Sequence, residues 1–373
     1  MAKNIGVLTA GSDSPGLNAA IRAIGRAAGS WFGRPIVAFQ DGFKGLAEDR
    51  TTTMEGPSFS GILTRGGTVL GTSRDLPHQM IIDGKSVDRT AEAIETYRRH
   101  QLDVLVCLGG RETQETALML MQRGLNIITL PKAIDNNIAE TEATIGFHTA
   151  LGIASEAIDR VHATALSNHR ILIVEIMGRN AGWLTLGAGI AGGADVILIP
   201  EIPYDAHKII AAITERNRAG KRFSIIAVSE GAISQENAAF HAATHHANDR
   251  LRSGAERDRV AAQIEQIQNR RKDNVPMLAS RLEQSTGLET RTTILGYLLR
   301  GGIPSTTDRI LATQLGSYCV SLIAENRYGV MVGMRHGSVE PIPLEEVAGK
   351  HKLIPLDHPW IESARHVGAN LGD

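Results

Sequence analysis

One local pattern recurs along this chain: a short apolar run, a turn of glycine or other small residues, then a helical pattern. Residues 4–9 (NIGVLT) run into 10–18 (AGSDSPGLN) and a helix with Leu17, Ile21 and Ile24 on one stripe. Residues 103–108 (DVLVCL) run into Gly109-Gly110 and a helix rich in Leu and Met. Further runs lie at 35–39, 125–130, 170–176 (RILIVEI), 195–200 and 223–228 (FSIIAV). Unbroken apolar runs of this length read as strands buried on both faces. Their alternation with helices predicts an α/β protein of doubly wound, mostly parallel sheets. At 373 residues the chain has room for two such domains.

In such sheets ligands gather at the carboxyl ends of the strands. The turn at 10–16 offers free backbone N–H groups at a helix start, with Pro15 suited to the first turn, a geometry that receives phosphate. Residues 65–74 (RGGTVLGTSR) bring glycines, hydroxyls and Arg74, which suit close approach to phosphate oxygens. In 130–138 (LPKAIDNNI), a proline and an Asp-Asn-Asn turn follow the strand, and a helical pattern begins near 142 and extends over 143–165. Asp135 at that strand end suits a general base that takes a hydroxyl proton during phosphoryl transfer; the plain alternative is a turn-forming Asp. Residues 292–298 predict a strand flanked by Arg291 and Arg300, and 307–326 a helix. The tail, 335–373, reads as a strand or loop and a closing helix without recognisable chemistry.

Composition narrows the function classes. Charged residues are 21% of the chain, and 39 Lys and Arg balance 40 Asp and Glu to a net charge of −1, so no basic excess marks a nucleic-acid binder. No apolar run reaches membrane-spanning length. The start reads as a strand rather than a leader. Cys107 and Cys319 are too few for a disulfide framework, and a reducing cytoplasm is expected. Residues 233–289 form a polar, Ala- and Arg-rich insert in which His241 and His245 stand at i,i+4 beside His246. A solvated helical face is the preferred reading there over a metal site.

Taken together, AGSDSPGLNAAIR, PKAIDNNI, EIMGRNAGW, ADVILIPEIP, VSEGA and LGYLLRGGIPSTTDR resemble, in order and spacing, the motifs of the phosphofructokinase family up to about residue 326. The resemblance implies two doubly wound domains with the active site in the cleft between them. Residues 1–145 plus about 304–355 form the donor domain, and about 146–303 plus 356–373 the sugar-phosphate domain. The implied activity is transfer of a phosphoryl group from ATP or pyrophosphate to the 1-hydroxyl of fructose 6-phosphate, the glycolytic step that gives fructose 1,6-bisphosphate. Asp135 matches the catalytic base. Arg170 and Arg291 match arginines that hold the 6-phosphate, the former across a subunit boundary, which implies a homo-oligomer, a dimer or tetramer. Met177, Gly178 and Arg179 match the sugar loop, Glu230 a carboxylate that accepts sugar hydroxyls, and Arg300 a further phosphate-site arginine. Tyr297 stands where the family often has histidine. The donor set implied is Gly11, Ser12, Arg74, Gly110, Arg111, Glu112, Thr113 and Lys132.

That donor set departs from the family pattern. Ser12 stands for a second glycine, Arg111 for the aspartate that helps hold Mg²⁺, Ala133 beside the base for a threonine, and Asn137 for a second aspartate. Glu112 occupies a position that is glycine in users of ATP and aspartate in many users of pyrophosphate. A carboxylate there repels the α-phosphate of ATP, while Lys132 attracts a terminal phosphate. A structural alternative for Arg111 is an i,i+4 pair with Glu115, and for Glu112 a first-turn carboxylate favoured by the helix dipole. Mg²⁺ is therefore expected only from the family. The reading from another class is a catalytically impaired homologue, a sugar-phosphate-binding or regulatory subunit partnered with an active paralogue. A dinucleotide-binding oxidoreductase is disfavoured, because GSDSPG lacks the three-glycine fingerprint.

Overall fold

A computed structural model describes residues 3–238 and 274–373. The His241, His245 and His246 cluster lies outside the described residues. The chain divides into two compact units, Met1–Ala150 with Arg300–Lys352, and Leu151–Leu299 with Leu353–Asp373. The strands are β1 Ile5–Thr9, β2 Ile36–Phe39, β3 Thr51–Met54, β4 Met80–Ile82, β5 Lys85–Val87, β6 Val104–Gly109 and β7 Ile127–Pro131. They continue with β8 Ile171–Ile176, β9 Val196–Leu198, β10 Ser224–Ser229, β11 Thr290–Ile294, β12 Val330–Arg335 and β13 Ser338–Pro343.

The first unit is built on a sheet ordered β13-β12-β7-β6-β1-β2-β3. Its middle pairings, from β12 to β2, are parallel, and the edge pairs β12–β13 and β2–β3 are antiparallel. Successive apolar residues of one strand serve opposite faces. Ile5 and Val7 of β1, with Val104, Val106 and Leu108 of β6, pack among residues of the helices Leu17–Phe32 and Thr306–Ala324. Leu8, Leu105 and Cys107 pack on the other face, with residues of the helices Thr90–Arg99 and Arg111–Gln122. Cys107 and Cys319 are buried thiols, and burial pushes both pKa values well above the usual thiol range.

The second unit carries an all-parallel sheet ordered β11-β8-β10-β9. Ile171, Ile173, Ile226 and Val228 pack on one face with Ile209 and Ile213 of the helix Ala206–Arg218 and Leu278 and Leu282 of the helix Asn274–Thr286.

Two boundaries differ from the sequence reading. The strand expected at 292–298 ends at Ile294, and a 3-10 turn, Gly296–Arg300, follows. Gly296 has φ 47°, left-handed backbone that stops a strand. The helix expected over 143–165 runs Phe147–Asn168. The segment before it is an irregular loop whose left-handed Asn136 and Gly146, at φ 50° and 99°, cannot continue a helix. The β4–β5 hairpin has no apolar alternation to announce it, because Lys85, Ser86 and Val87 are all exposed.

Candidate active site

In the first sheet the chain steps from β1 outward to β2, then returns to the other side of β1 with β6. The strand order therefore reverses between β1 and β6, the place where such sheets hold ligands at their carboxyl ends. The turns after these two strands carry Gly11 and Gly110. They are tied together: the Ala10 amide donates to Leu108 O at 2.9 Å. Gly11 has φ 82° and Gly16, which precedes the first helix, φ 98°. Ser14 is buried and donates through Oγ to Ile145 O at 3.0 Å, pinning the turn from behind.

The 65–74 loop closes over this turn. Asn18 holds it from below: its Nδ2 donates to Arg65 O and Gly66 O at 3.0 and 3.2 Å, and its Oδ1 accepts from the Val69 amide at 2.8 Å. Thr72 Oγ1 donates to Gly11 O at 2.7 Å. A side chain at Gly66 would meet the carbonyl of Gly302, so the glycine is required by that close approach.

Three cations from remote segments meet on Ser12-Asp13. Arg74 donates to Ser12 Oγ at 3.1 Å, Arg300 to Asp13 O at 3.2 Å, and Lys132 Nζ to Ser12 O. Arg300 Nε is buried without a hydrogen-bond partner among the described residues, a donor still to be satisfied. Lys132 is buried, and burial first, then the neighbouring Arg300, lowers its ammonium pKa to about 8, against the pull of Asp13 and Asp135.

Asp135 stands just beyond β7. Asn137 Nδ2 donates to Asp135 Oδ2 at 2.8 Å. Asn136, buried, holds the turn by donating to Glu142 O at 3.1 Å, and Thr144 Oγ1 donates to Ala133 O at 2.5 Å. A partly exposed carboxylate fixed at a strand end, beside a lysine and a phosphate-type turn, can receive a proton from a bound hydroxyl.

The helix Arg111–Gln122 starts at Gly110. Arg111 pairs with Glu115 at 2.6 Å, the i,i+4 contact considered from the sequence. Glu112 is exposed in the first turn, and Thr113 is buried against Gly109. At the position matched to the family's metal-holding aspartate stands the Arg111 guanidinium, paired with Glu115, which supplies no oxygen ligand to Mg²⁺.

In the second unit the loop after β8 carries Met177, Gly178 and Arg179. Ser229 Oγ donates to Gly178 O at 2.5 Å, and Gly231 lies against Arg179 O so closely that no side chain fits there. Glu201 fixes the loop's far end, accepting from the Gly182 amide at 3.0 and 3.1 Å and the Ile354 amide at 3.1 Å; burial raises its carboxyl pKa. Glu230 follows β10, its amide on Ile176 O at 2.9 Å, and near it Glu175 has a raised pKa through burial and the charge of Glu230.

Arg170 and Arg291 lie elsewhere in this unit. Arg170 immediately precedes β8, and Arg291, early in β11, is in register with Leu172. Both bond the carboxylate of Glu289, Arg170 Nε at 2.6 Å. Six residues of β8 at roughly 3.3 Å each put about 20 Å between this pair and the Met177–Arg179 loop. Tyr297 is 78% exposed.

Glu289 lies outside every motif, while Asn18 and Glu201 fall inside AGSDSPGLNAAIR and ADVILIPEIP with nothing local to mark their anchoring role. Asp308 has such a mark: Ser305 and Asp308 have the spacing of a capping box, and Ser305 Oγ accepts from the Asp308 amide at 3.2 Å. The fully buried Asp308 carboxylate also accepts from the amides of Gly146 and Thr149 at 2.9 and 2.7 Å, fixing the start of the helix Phe147–Asn168.

Comparison with known proteins gives the family. The family model described as Phosphofructokinase matches residues 4–323. The chain is 50% identical to the ATP-dependent 6-phosphofructokinase of Propionibacterium freudenreichii subsp. shermanii, over 100% of both chains. It is 46% identical to the ATP-dependent 6-phosphofructokinase of Spirochaeta thermophila, over 100% of this chain and 98% of the relative. Among solved structures, a phosphofructokinase of Saccharomyces cerevisiae is 30% identical with a TM-score of 0.74; 92% of this chain matches 45% of the yeast chain, so the chain spans less than half of it. A pyrophosphate-dependent phosphofructokinase of Nitrosospira multiformis, 20% identical with a TM-score of 0.78, shares the fold over 100% of this chain and 93% of its own. With glycine turns at a sheet's switch point, a strand-end aspartate and matches of this extent, the chain belongs to the phosphofructokinase family.

Proposed function

We propose that this protein is a 6-phosphofructokinase, transferring a phosphoryl group to the 1-hydroxyl of fructose 6-phosphate. The observation that carries the reading is the convergence of Arg74, Lys132 and Arg300 on the Ser12-Asp13 turn, in the same unit as Asp135. The Asp135 carboxylate takes the proton of the 1-hydroxyl as its oxygen forms a bond to the terminal phosphorus of the donor. The bond from that phosphorus to the leaving phosphate oxygen breaks, and the cations of the turn stabilise the charge that spreads over the transferring group. Glu230 and the Met177–Arg179 loop supply acceptors and donors for the sugar hydroxyls.

The donor is ATP, as in the two ATP-dependent relatives at 50% and 46% identity. Pyrophosphate is the second reading, favoured by the Glu112 carboxylate at the helix start and by Lys132 on the turn. The working form is a homo-oligomer in which Arg170 serves the sugar 6-phosphate of a neighbouring copy, with Arg291 as a second arginine of the phosphate site. The length of β8 between these arginines and the sugar loop supports this, as does the edge position of β11 with its exposed Ile294. A cytoplasmic enzyme fits the two buried free thiols and the absence, among the described residues, of a helix long and apolar enough to cross a membrane.

The test is turnover of purified protein with fructose 6-phosphate, comparing ATP with pyrophosphate, alongside calorimetric titration of the sugar phosphate. Asp135→Ala is expected to lower turnover about 10²-fold to 10⁴-fold and leave sugar-phosphate binding intact. Binding without turnover by either donor would sink the reading.

A further inference from the structure

The tail beyond residue 335 carries no recognisable motif, yet two of its residues brace the loop that holds Asp135. Ile138 and His351 form an antiparallel bridge. The Lys352 amide donates to Asn137 O at 3.1 Å, and Lys352 Nζ donates to Glu142 O at 2.7 Å, across 210 positions of sequence. The Glu142 carbonyl that receives this ammonium also accepts the Asn136 side chain at 3.1 Å. Asn137, held through its carbonyl by Lys352, points its own amide at Asp135 Oδ2 at 2.8 Å. Both ends of the 137–142 stretch are thus fastened to one residue. The stretch needs fastening, because Asn136 and Glu140 sit at left-handed φ of 50° and 63°.

We propose that Lys352 is a positioning residue for the base: its amide and its ammonium clamp residues 137–142 and so fix the Asn137 side chain that orients Asp135. The proposal rests on the phosphotransferase reading for the role of Asp135, while the clamp itself is a matter of geometry. The half-buried side chain and lowered ammonium pKa of Lys352, to about 8 through burial, match a group built into the loop rather than left in solvent.

The experiment uses the full chain with Lys352→Met, which keeps the apolar stem and removes the ammonium, and Lys352→Arg, which restores a cationic donor. Steady-state kinetics are combined with hydrogen exchange of peptides covering 135–142. Lys352→Met is expected to lower kcat about tenfold, as misplacement of a catalytic group does, with KM for fructose 6-phosphate changed by less than about twofold. Exchange over 135–142 is expected to rise about fivefold, and Lys352→Arg to recover most of both losses. Unchanged exchange over 135–142 in Lys352→Met overturns the proposal, as does a loss of kcat that Lys352→Arg does not recover. A wild-type chain that turns over neither donor overturns the phosphotransferase reading instead; the exchange comparison then decides the clamp alone.

Discussion

Arg170 Nε donates to Glu289 Oε2 at 2.6 Å, joining two residues 119 positions apart because parallel pairing of β8 with β11 sets their strand starts side by side. Arg291 bonds the other oxygen of the same carboxylate. One anion therefore offsets two cations assigned to the sugar 6-phosphate. Glu289→Gln keeps the shape and removes the charge. KM for fructose 6-phosphate is expected to fall about fivefold at low salt, roughly 1 kcal/mol of Coulomb energy at a solvent-facing site, and the gain to shrink as salt rises. An unchanged or raised KM in steady-state assays at two salt concentrations would count against a phosphate role for this pair.

Lys132 sets a pH limit on donor use. Its pKa, lowered by burial to about 8, leaves it cationic below that value and neutral above it. Donor kcat/KM is expected to fall as pH rises through 8, by roughly tenfold per pH unit at the steepest. Stability runs the other way: the cost of burying the cation is relieved as pH climbs from 8 towards the ordinary lysine range. Lys352 titrates near the same value. Lys132→Arg, which stays charged, separates the two by moving the limb upward if it belongs to residue 132.

Donor choice is predicted to lie with residues 111 and 112. Arg111→Asp together with Glu112→Gly restores the family's usual residues at the start of the helix Arg111–Gln122. ATP-dependent kcat/KM is expected to rise about tenfold or more, the scale of a single gained electrostatic contact in an active site. No gain with ATP in parallel assays would show that other departures, such as Ala133 or Ser12, limit the reaction.

Asp308 is predicted to be a stability residue for the first unit. Asp308→Asn turns an amide donor group toward a site built of N–H and O–H donors from Gly146, Thr149 and Ser305. A loss of about 3 kcal/mol is expected in urea unfolding, in the range for breaking charge-assisted bonds to a buried carboxylate. A change below about 0.5 kcal/mol, ordinary for surface substitutions, would remove that role.

The strands that build the site were legible in the sequence because their signal is local. NIGVLT, DVLVCL, RILIVEI and FSIIAV are apolar on both faces, and a strand with helices above and below must be so. The position of Asp135 followed from the same pattern, since a turn that ends a parallel strand lies where such sheets bind ligands. The family motifs lie in these strands and turns for that reason. Gly296 ended β11 earlier than its apolar pattern suggested, through a backbone angle that residue type permits without announcing.

What tertiary structure decided is which polar groups meet. Glu289 beside Arg170, Lys352 on Glu142 O, Asp308 under Gly146 and Arg300 on Asp13 join residues 119 to 287 positions apart. Apolar periodicity fixes which face of an element is buried. It carries no information about register between remote segments, and a hydrogen bond depends on register to within a few tenths of an ångström. The sequence alone determined the sheets and the strand ends where chemistry belongs. Only the folded chain set the partners that hold Asp135, the arginines and the phosphate turn in place.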